Sequence, residues 1–278
     1  MIAVLGGLGA AVCWAGAALS AARASRLIGA RNVLAWVMLV GFVVVAPLTL
    51  AAGLPDLDGR ELGWIALSGA GNVAGLLCSY EAMRLGRVSV VAPITSTEGA
   101  IAAVLAVATG EALGAGSVVL LAAIAMGVVL ASGTESVESG RPRRSTFLAV
   151  CAAGCFGSSL FATARVSMAL PLVFALIPPR LVGVAAITLP SAVTRRLRLT
   201  RAALPLVVLS GLCEVGGFTS YALGARHGIA ISAVLASQFA ALAAVAAYFL
   251  FHERLRPLQI VGVAMIAVGV ALLTALRL

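Results

Sequence analysis

The sequence predicts an all-α, multi-pass membrane protein with ten transmembrane helices arranged as two inverted five-helix repeats. Apolar residues make up 62% of the chain and charged residues 10%, at a mean hydropathy of +1.13, a balance foreign to a soluble domain of this length. Apolar stretches of about 20 residues, the length that crosses a hydrocarbon core, follow one another along the chain. They carry none of the two-residue alternation of a membrane β-barrel. The chain also repeats itself: residues 13 to 25 match residues 155 to 167 at a constant offset, with Cys13 against Cys155, Arg23 against Arg165 and Ser25 against Ser167.

The spans run over about 2–21, 33–53, 62–83, 88–109, 115–133, 146–165, 169–192, 203–223, 229–251 and 257–276. The first has the small residues of a signal peptide but no basic region ahead of them, and its internal twin argues that it is kept. The offset continues through Gly41 and Gly183, Ser68-Gly69 and Ser210-Gly211, Arg84 and Arg226, Gly86 and Gly228, Glu111 and Glu253, and Gly127 and Gly269. A repeat of five spans, an odd number, places the second copy in the opposite orientation, the arrangement of many secondary transporters. Residues 1–134 then form the first repeat, 135–145 a linker and 146–278 the second repeat.

Within the spans the informative residues are polar ones. Each ionisable side chain at bilayer depth costs roughly 2.5 to 3.5 kcal/mol, so it is expected to have a partner or a task. Glu98 lies mid-span in VSVVAPITSTEGAIAAVLAVATGE, after Pro93 and among Thr95, Ser96 and Thr97; the proline is expected to bend the helix and free polar backbone beside the carboxylate. Span 7 carries Arg180 at the midplane immediately after Pro178 and Pro179, which are expected to interrupt the helix. Span 8 places Glu214 at similar depth, where the offset pairs it with Asn72 of span 3; span 9 adds Ser237-Gln238 and the small-residue run 240–247. An arginine stays protonated and needs an anion, so one glutamate is expected to neutralise Arg180 while the other carries a coupling proton, Glu98 before Glu214. The candidate substrate and proton site is therefore Glu98, Arg180, Glu214, Asn72, Ser96 and Gln238. The rival reading is an ion pair that only holds the halves together.

Other residues read more plainly. Tyr80 and Tyr221 fall near span ends and are expected as interface anchors, and Trp36 and Pro47 as packing or interface residues. Glu111 and Glu253 close spans where water reaches them and read as helix-end residues. Cys13, Cys78, Cys151, Cys155 and Cys213 lack Cys-x-x-Cys spacing and a histidine in register, which makes them small packing residues and not metal ligands or disulfides. The net charge of +9 comes from arginines, mostly in short connections, so it reports topology and not nucleic-acid binding. The chain has no lysine and no G-x-x-x-x-G-K-[ST] loop, which argues against ATP-driven transport by this chain alone.

The chain resembles the drug/metabolite transporter superfamily in its ten-span, EamA-type branch. The resemblance rests on the order of the two repeats, Gly110-Glu111 and His252-Glu253 closing spans 4 and 9, Trp14 and Phe156-Gly157 in the first span of each half, and Arg180. It departs at Ala15, which separates Trp14 from Gly16, and at Leu235, the counterpart of Pro93, so that span 9 is expected to lack the bend of span 4. The resemblance implies a secondary transporter that exports a small metabolite, an amino acid or an amphiphilic compound, with protons as a candidate coupling ion. It implies no enzyme activity, catalytic residue, cofactor or metal, and its partners would be that solute and the lipid of a bacterial inner (plasma) membrane. A membrane-embedded enzyme acting on a lipid-linked substrate and a passive channel are the alternatives. An enzyme would need a nucleophile, acid/base pair or metal cluster, and His227 and His252 stand apart with only Glu253 as an acidic neighbour.

Orientation is read two ways. Most arginines, among them Arg23, Arg26, Arg31, Arg195, Arg196, Arg198, Arg201, Arg254 and Arg256, follow odd-numbered spans, whereas Arg60, Arg165, Arg226 and Arg277 lie on the terminal side. The positive-inside rule then puts both termini outside, while the family resemblance implies cytoplasmic termini. Substrate identity and oligomeric state are not legible in the sequence.

Overall fold

A computed structural model of the chain describes residues 1–85, 91, 94–131, 142–239, 241–242 and 257–275. Pro93, His252, Glu253 and most of the linker and of the run 240–247 lie outside the described residues.

The described residues are helical with short connections: α1 (Ile2–Ile28), α2 (Ala30–Ala51), α3 (Gly59–Leu85), α4 (Glu98–Ala108), α5 (Ala115–Ala131), α6 (Pro142–Ala169), α7 (Val173–Gly183), α8 (Leu189–Val193), α9 (Leu204–Ala225), α10 (Ile229–Ala236) and α11 (Pro257–Ala275). Helix is the form that lets a backbone in hydrocarbon satisfy its own N–H and C=O groups, which is why apolar runs become helices from end to end. Among the described residues, six stretches are long and apolar enough to cross a membrane: Ile2–Ile28, Ala30–Ala51, Gly59–Ser79, Arg144–Ala169, Val173–Val193 and Leu204–Ala225. The chain is thus an all-α, multi-pass integral membrane protein. Large apolar side chains such as Leu5, Val12, Val43, Leu48, Val104 and Val119 face outward, where lipid covers them.

Pro178 and Pro179 do not interrupt their helix, contrary to the sequence expectation: both lie inside α7. The helix begins only five residues before Pro178, and its first turn is tight, with the Phe174 and Ala175 N–H groups donating to the Pro171 and Leu172 carbonyls. The two prolines stand just past the first turn and remove the donors that would reach the Phe174 and Ala175 carbonyls, yet the helix runs on to Gly183. The irregularity comes later, as a widened π-type turn over Val184–Thr188 ahead of Pro190 in α8. Such turns mark places where a helix is locally adjusted, here with the Thr188 hydroxyl donating to the Ala35 carbonyl of α2.

Packing runs in pairs. α1 lies along α9 and α3 along α6; α2 packs on α7, α4 on α10 and α5 on α11; α1 also touches α10 as α4 touches α6, and α2 touches α9 as α3 touches α7. Small residues set these approaches. A Cβ at Gly75 would lie 2.5 Å from Cδ1 of Phe156, and one at Gly217 would lie 2.5 Å from Cδ1 of Trp14. Gly69 faces Val182 and Gly211 faces Val40; Gly127 faces Ile266 and Gly269 faces Ile124. In each case the second contact is the first with both residues replaced by their counterparts at the Cys13–Cys155 offset. The main buried cluster gathers Trp14, Phe161, Phe218, Tyr221 and the whole of Ile229–Ala236 between the paired helices.

Candidate functional site

Arg180 on α7 is the largest fully buried side chain among the described residues, at 1% exposure. Room for it is made on α2 by Gly41, where a Cβ would lie 2.9 Å from Nε and 3.2 Å from Cγ of the arginine. The equivalent place in the other half is filled by Met38, whose Sδ would be 2.6 Å from a Cβ at Gly183. The guanidinium lies over the Phe218 ring of α9, with Cζ 4.7 Å from the centroid, a cation–π arrangement that gains strength away from water. One turn back on α9, Glu214 reaches it: Oε2 is 3.7 Å from Nη2, and the glutamate is 19% exposed. The sequence expectation that an acid meets Arg180 is met by Glu214.

Glu98 is buried at the first position of α4, directly after a turn at Ser96 and Thr97. Its backbone carbonyl lies against Gly157 of α6, where a Cβ would be 2.8 Å away. Its carboxyl group is within electrostatic reach of Glu214 and of Tyr221. Gln238 is buried in the corresponding turn at Ser237 and Gln238 that ends α10. Span 9 therefore departs from the α-helix where span 4 does, although Leu235 stands in place of Pro93, which corrects the expectation of a straight span 9. In both turns an N–H bonds three residues back, Thr97 to Ile94 and Gln238 to Leu235, and the hydroxyls of Thr97 and Ser237 donate to Ile94 and Val234 carbonyls. Hydroxyls that take up local carbonyls supply what the proline was expected to supply. Asn72 on α3 and Ser96 are also buried.

Several buried polar atoms have no hydrogen-bond partner among the described residues: both terminal nitrogens of Arg180, Oδ1 of Asn72, Nε2 of Gln238, Nε1 of Trp14 and Nε of Arg165. Leaving one such group unanswered costs about 1 to 3 kcal/mol, more when it is charged. Trp14 was not singled out as a site residue from the sequence; it stands edge-on to Phe218, centroids 5.3 Å apart, and beside Tyr221 at 6.2 Å. Gly41 and Phe218 were missed as well. The signal for Gly41 was its offset partner Gly183, and no sequence signal marks Phe218. Tyr221 is not an interface anchor as expected: it is fully buried and its hydroxyl donates to the Leu160 carbonyl at 2.9 Å. The side chain of Tyr80 lies outside the described residues.

A second polar group forms where α4 ends. Gly110, at φ 101°, closes α4 with a Schellman pattern in which the N–H groups of Gly110 and Glu111 donate to the carbonyls of Val107 and Ala106. This turn delivers the Glu111 carboxylate to the N-terminus of α10, where it accepts from the N–H of Ile229 at 3.1 Å and of Ala230 at 3.3 Å. Arg165 on α6 donates to the Thr109 hydroxyl and lies over Phe161. These residues, with His227 and Gly228, line an open cavity of about 380 Å³ at that end of the bundle. The five cysteines are free, and no cluster of metal-ligating side chains occurs among the described residues.

Residues 1–133 match the EamA-like transporter family. A solved crystal structure with no functional description superimposes with a TM-score of 0.80 at 19% identity, covering 99% of this chain and 96% of that one. At that identity the likeness concerns the fold, and it extends over the whole chain. No curated protein matches the sequence. The first half of the chain is thus similar to the EamA-like transporter family, and the whole chain has the fold of that solved structure.

Proposed function

We propose that the protein is a secondary active transporter that exports a small metabolite through two inverted five-helix repeats of ten spans in all, with the solute bound at Arg180, Glu214, Glu98, Asn72, Ser96 and Gln238. The observation that carries this reading is a fully buried arginine beside Glu214 whose two terminal nitrogens no hydrogen-bond acceptor among the described residues answers. A structural ion pair would be expected to have its donors satisfied, since every open one weakens it. A recognition site keeps them open for a ligand.

The helix pairing supports the two-repeat reading, because exchanging each element of one half for its counterpart returns the same set of pairs. The turns at Ser96-Thr97 and Ser237-Gln238 are the broken helices expected beside a transporter site. Alternating access then amounts to rocking one pair set against the other around the central cluster. Glu98, buried at such a turn and in reach of Glu214, is the proton carrier in this scheme. A location in the bacterial inner membrane follows from the same reading.

Reconstituted protein in proteoliposomes tests it, with uptake of amino acids, organic cations, organic acids and sugars followed with and without a pH gradient. Saturable, gradient-dependent movement of one class is expected. Flux that rises linearly with concentration for every solute would replace the transporter by a channel, and no flux of any solute would remove both.

A further inference from the structure

We propose that the group recognised by the central cluster is a carboxylate or similar planar oxyanion on an apolar body, and that it takes Arg180 over from Glu214; this rests on the reading of that cluster as the substrate site. The ion pair in place is loose. Nη2 and Oε2 are 3.7 Å apart, beyond the 2.7 to 3.2 Å of an N–H···O bond, and neither terminal nitrogen of the guanidinium has an acceptor among the described residues. A guanidinium presents parallel N–H donors that fit a planar oxyanion in two bonds at once, and it keeps its charge when buried.

The other buried open atoms of the proposed cluster are mostly donors too: Nε1 of Trp14 and Nε2 of Gln238, against one open acceptor, Oδ1 of Asn72. Trp14 is tied to the same place through Phe218, which carries the guanidinium on its face and Trp14 at its edge. The rest of the surround is apolar and aromatic, with Met38, Phe218 and Tyr221 in the buried core. Such walls favour a hydrophobic remainder on the ligand.

Arg180 cannot follow Glu214 away. Gly41 on one side and the Phe218 ring on the other fix its path, so a second anion has to compete with Glu214 for a stationary cation. That competition gives the proposal a sign. Replacing Glu214 by glutamine removes the competitor and should tighten an oxyanion, whereas it would weaken a cationic ligand that needs the carboxylate.

The test uses the purified protein in detergent and three probes of one shape, benzoate, benzamide and benzylamine, with butyrate, butyramide and butylamine as a smaller set. Binding is read by calorimetry and by the shift in melting temperature. Binding of the carboxylate alone is expected in the wild type, tightened at least about tenfold in Glu214→Gln. Gly41→Ala, which displaces the guanidinium, should weaken it, as should Arg180→Lys, which replaces the fork by a point charge. Amine binding that disappears in Glu214→Gln, or carboxylate binding that Glu214→Gln weakens or leaves unchanged, overturns the proposal. If proteoliposomes move a neutral or cationic solute in a Glu98-dependent way while no carboxylate of either set binds, the ligand class is wrong and transport stands. If nothing moves and nothing binds, the transporter reading falls and takes this inference with it.

Discussion

At the scale of single residues, one informative difference across the repeat offset sets Arg180 against Met38. Both long side chains run over a glycine, Gly41 and Gly183 respectively. They differ in what happens when that glycine gains a methyl group. At Gly183 a Cβ would press Cγ and Cβ of Met38 at 2.5 and 3.0 Å, a clash of packing alone, whereas at Gly41 it would press the arginine that Phe218 and Glu214 hold. Gly41→Ala is therefore expected to abolish solute flux and to destabilise by about 1 to 3 kcal/mol, the range of overpacked cores. Gly183→Ala is expected to destabilise at least as much, while the protein that folds keeps most of the flux. Flux assays and melting curves on the two variants check this, and equal effects on flux would mean that Arg180 has no special constraint. The charged site was legible in the sequence because an ionised group in an apolar span is conspicuous. Phe218 and Trp14 were not, since an aromatic in an apolar run looks the same whether it faces lipid, core or a guanidinium.

At the scale of elements, helix extents could be read from apolar length almost to their ends, but the local departures from helix could not. α2, α3 and α9 begin and end within a few residues of spans 2, 3 and 8. Proline content misled in both directions: Pro178 and Pro179 stay in α7, whereas α10 ends at Ala236 without a proline. What decides is how many ladder bonds are at stake and whether nearby hydroxyls can take the freed carbonyls, neither of which a proline count contains. The Gly110-Glu111 pair is clearer in retrospect. Gly110 supplies the left-handed turn, and Glu111 puts a carboxylate on the N-terminus of α10, where the helix dipole and two N–H groups favour it. Glu111→Ala is expected to lower stability by about 1 to 2 kcal/mol, the scale of a lost helix cap, and Glu111→Gln by less. Substrate preference should be unchanged in both. A switch in preference at normal stability would move Glu111 into the recognition site.

At the scale of the whole molecule, the two-half organisation we propose rests on Cys, Arg and Glu residues that repeat at one offset. The helix pairing and the exchanged glycine contacts now support it from geometry. If the halves are inverted, Glu111 and Glu253 lie at opposite membrane faces. Single cysteines at the two positions, in a cysteine-free background, should be labelled from opposite sides by a membrane-impermeant reagent, and labelling from one side would end the inverted-repeat account. The connection 194–203 folds onto the start of α2, where Asn32 Oδ1 accepts from the Arg198 N–H and Trp36 donates to the Arg198 carbonyl. That face carries Arg26, Arg31, Arg195, Arg196, Arg198 and Arg201, and on the positive-inside rule we propose that it is cytoplasmic and the N-terminus outside, against the cytoplasmic termini that the family resemblance implies. A reporter fused at the N-terminus, active only in the cytoplasm, should be silent. The most direct test of the central claim, that a buried charged cluster binds and moves the solute, is to compare net uptake with exchange in proteoliposomes of the wild type and of Glu98→Gln. The account predicts that Glu98→Gln loses pH-driven accumulation and keeps exchange of labelled for unlabelled solute, because it removes the proton carrier and leaves Arg180 in place. Accumulation in Glu98→Gln equal to the wild type would contradict it.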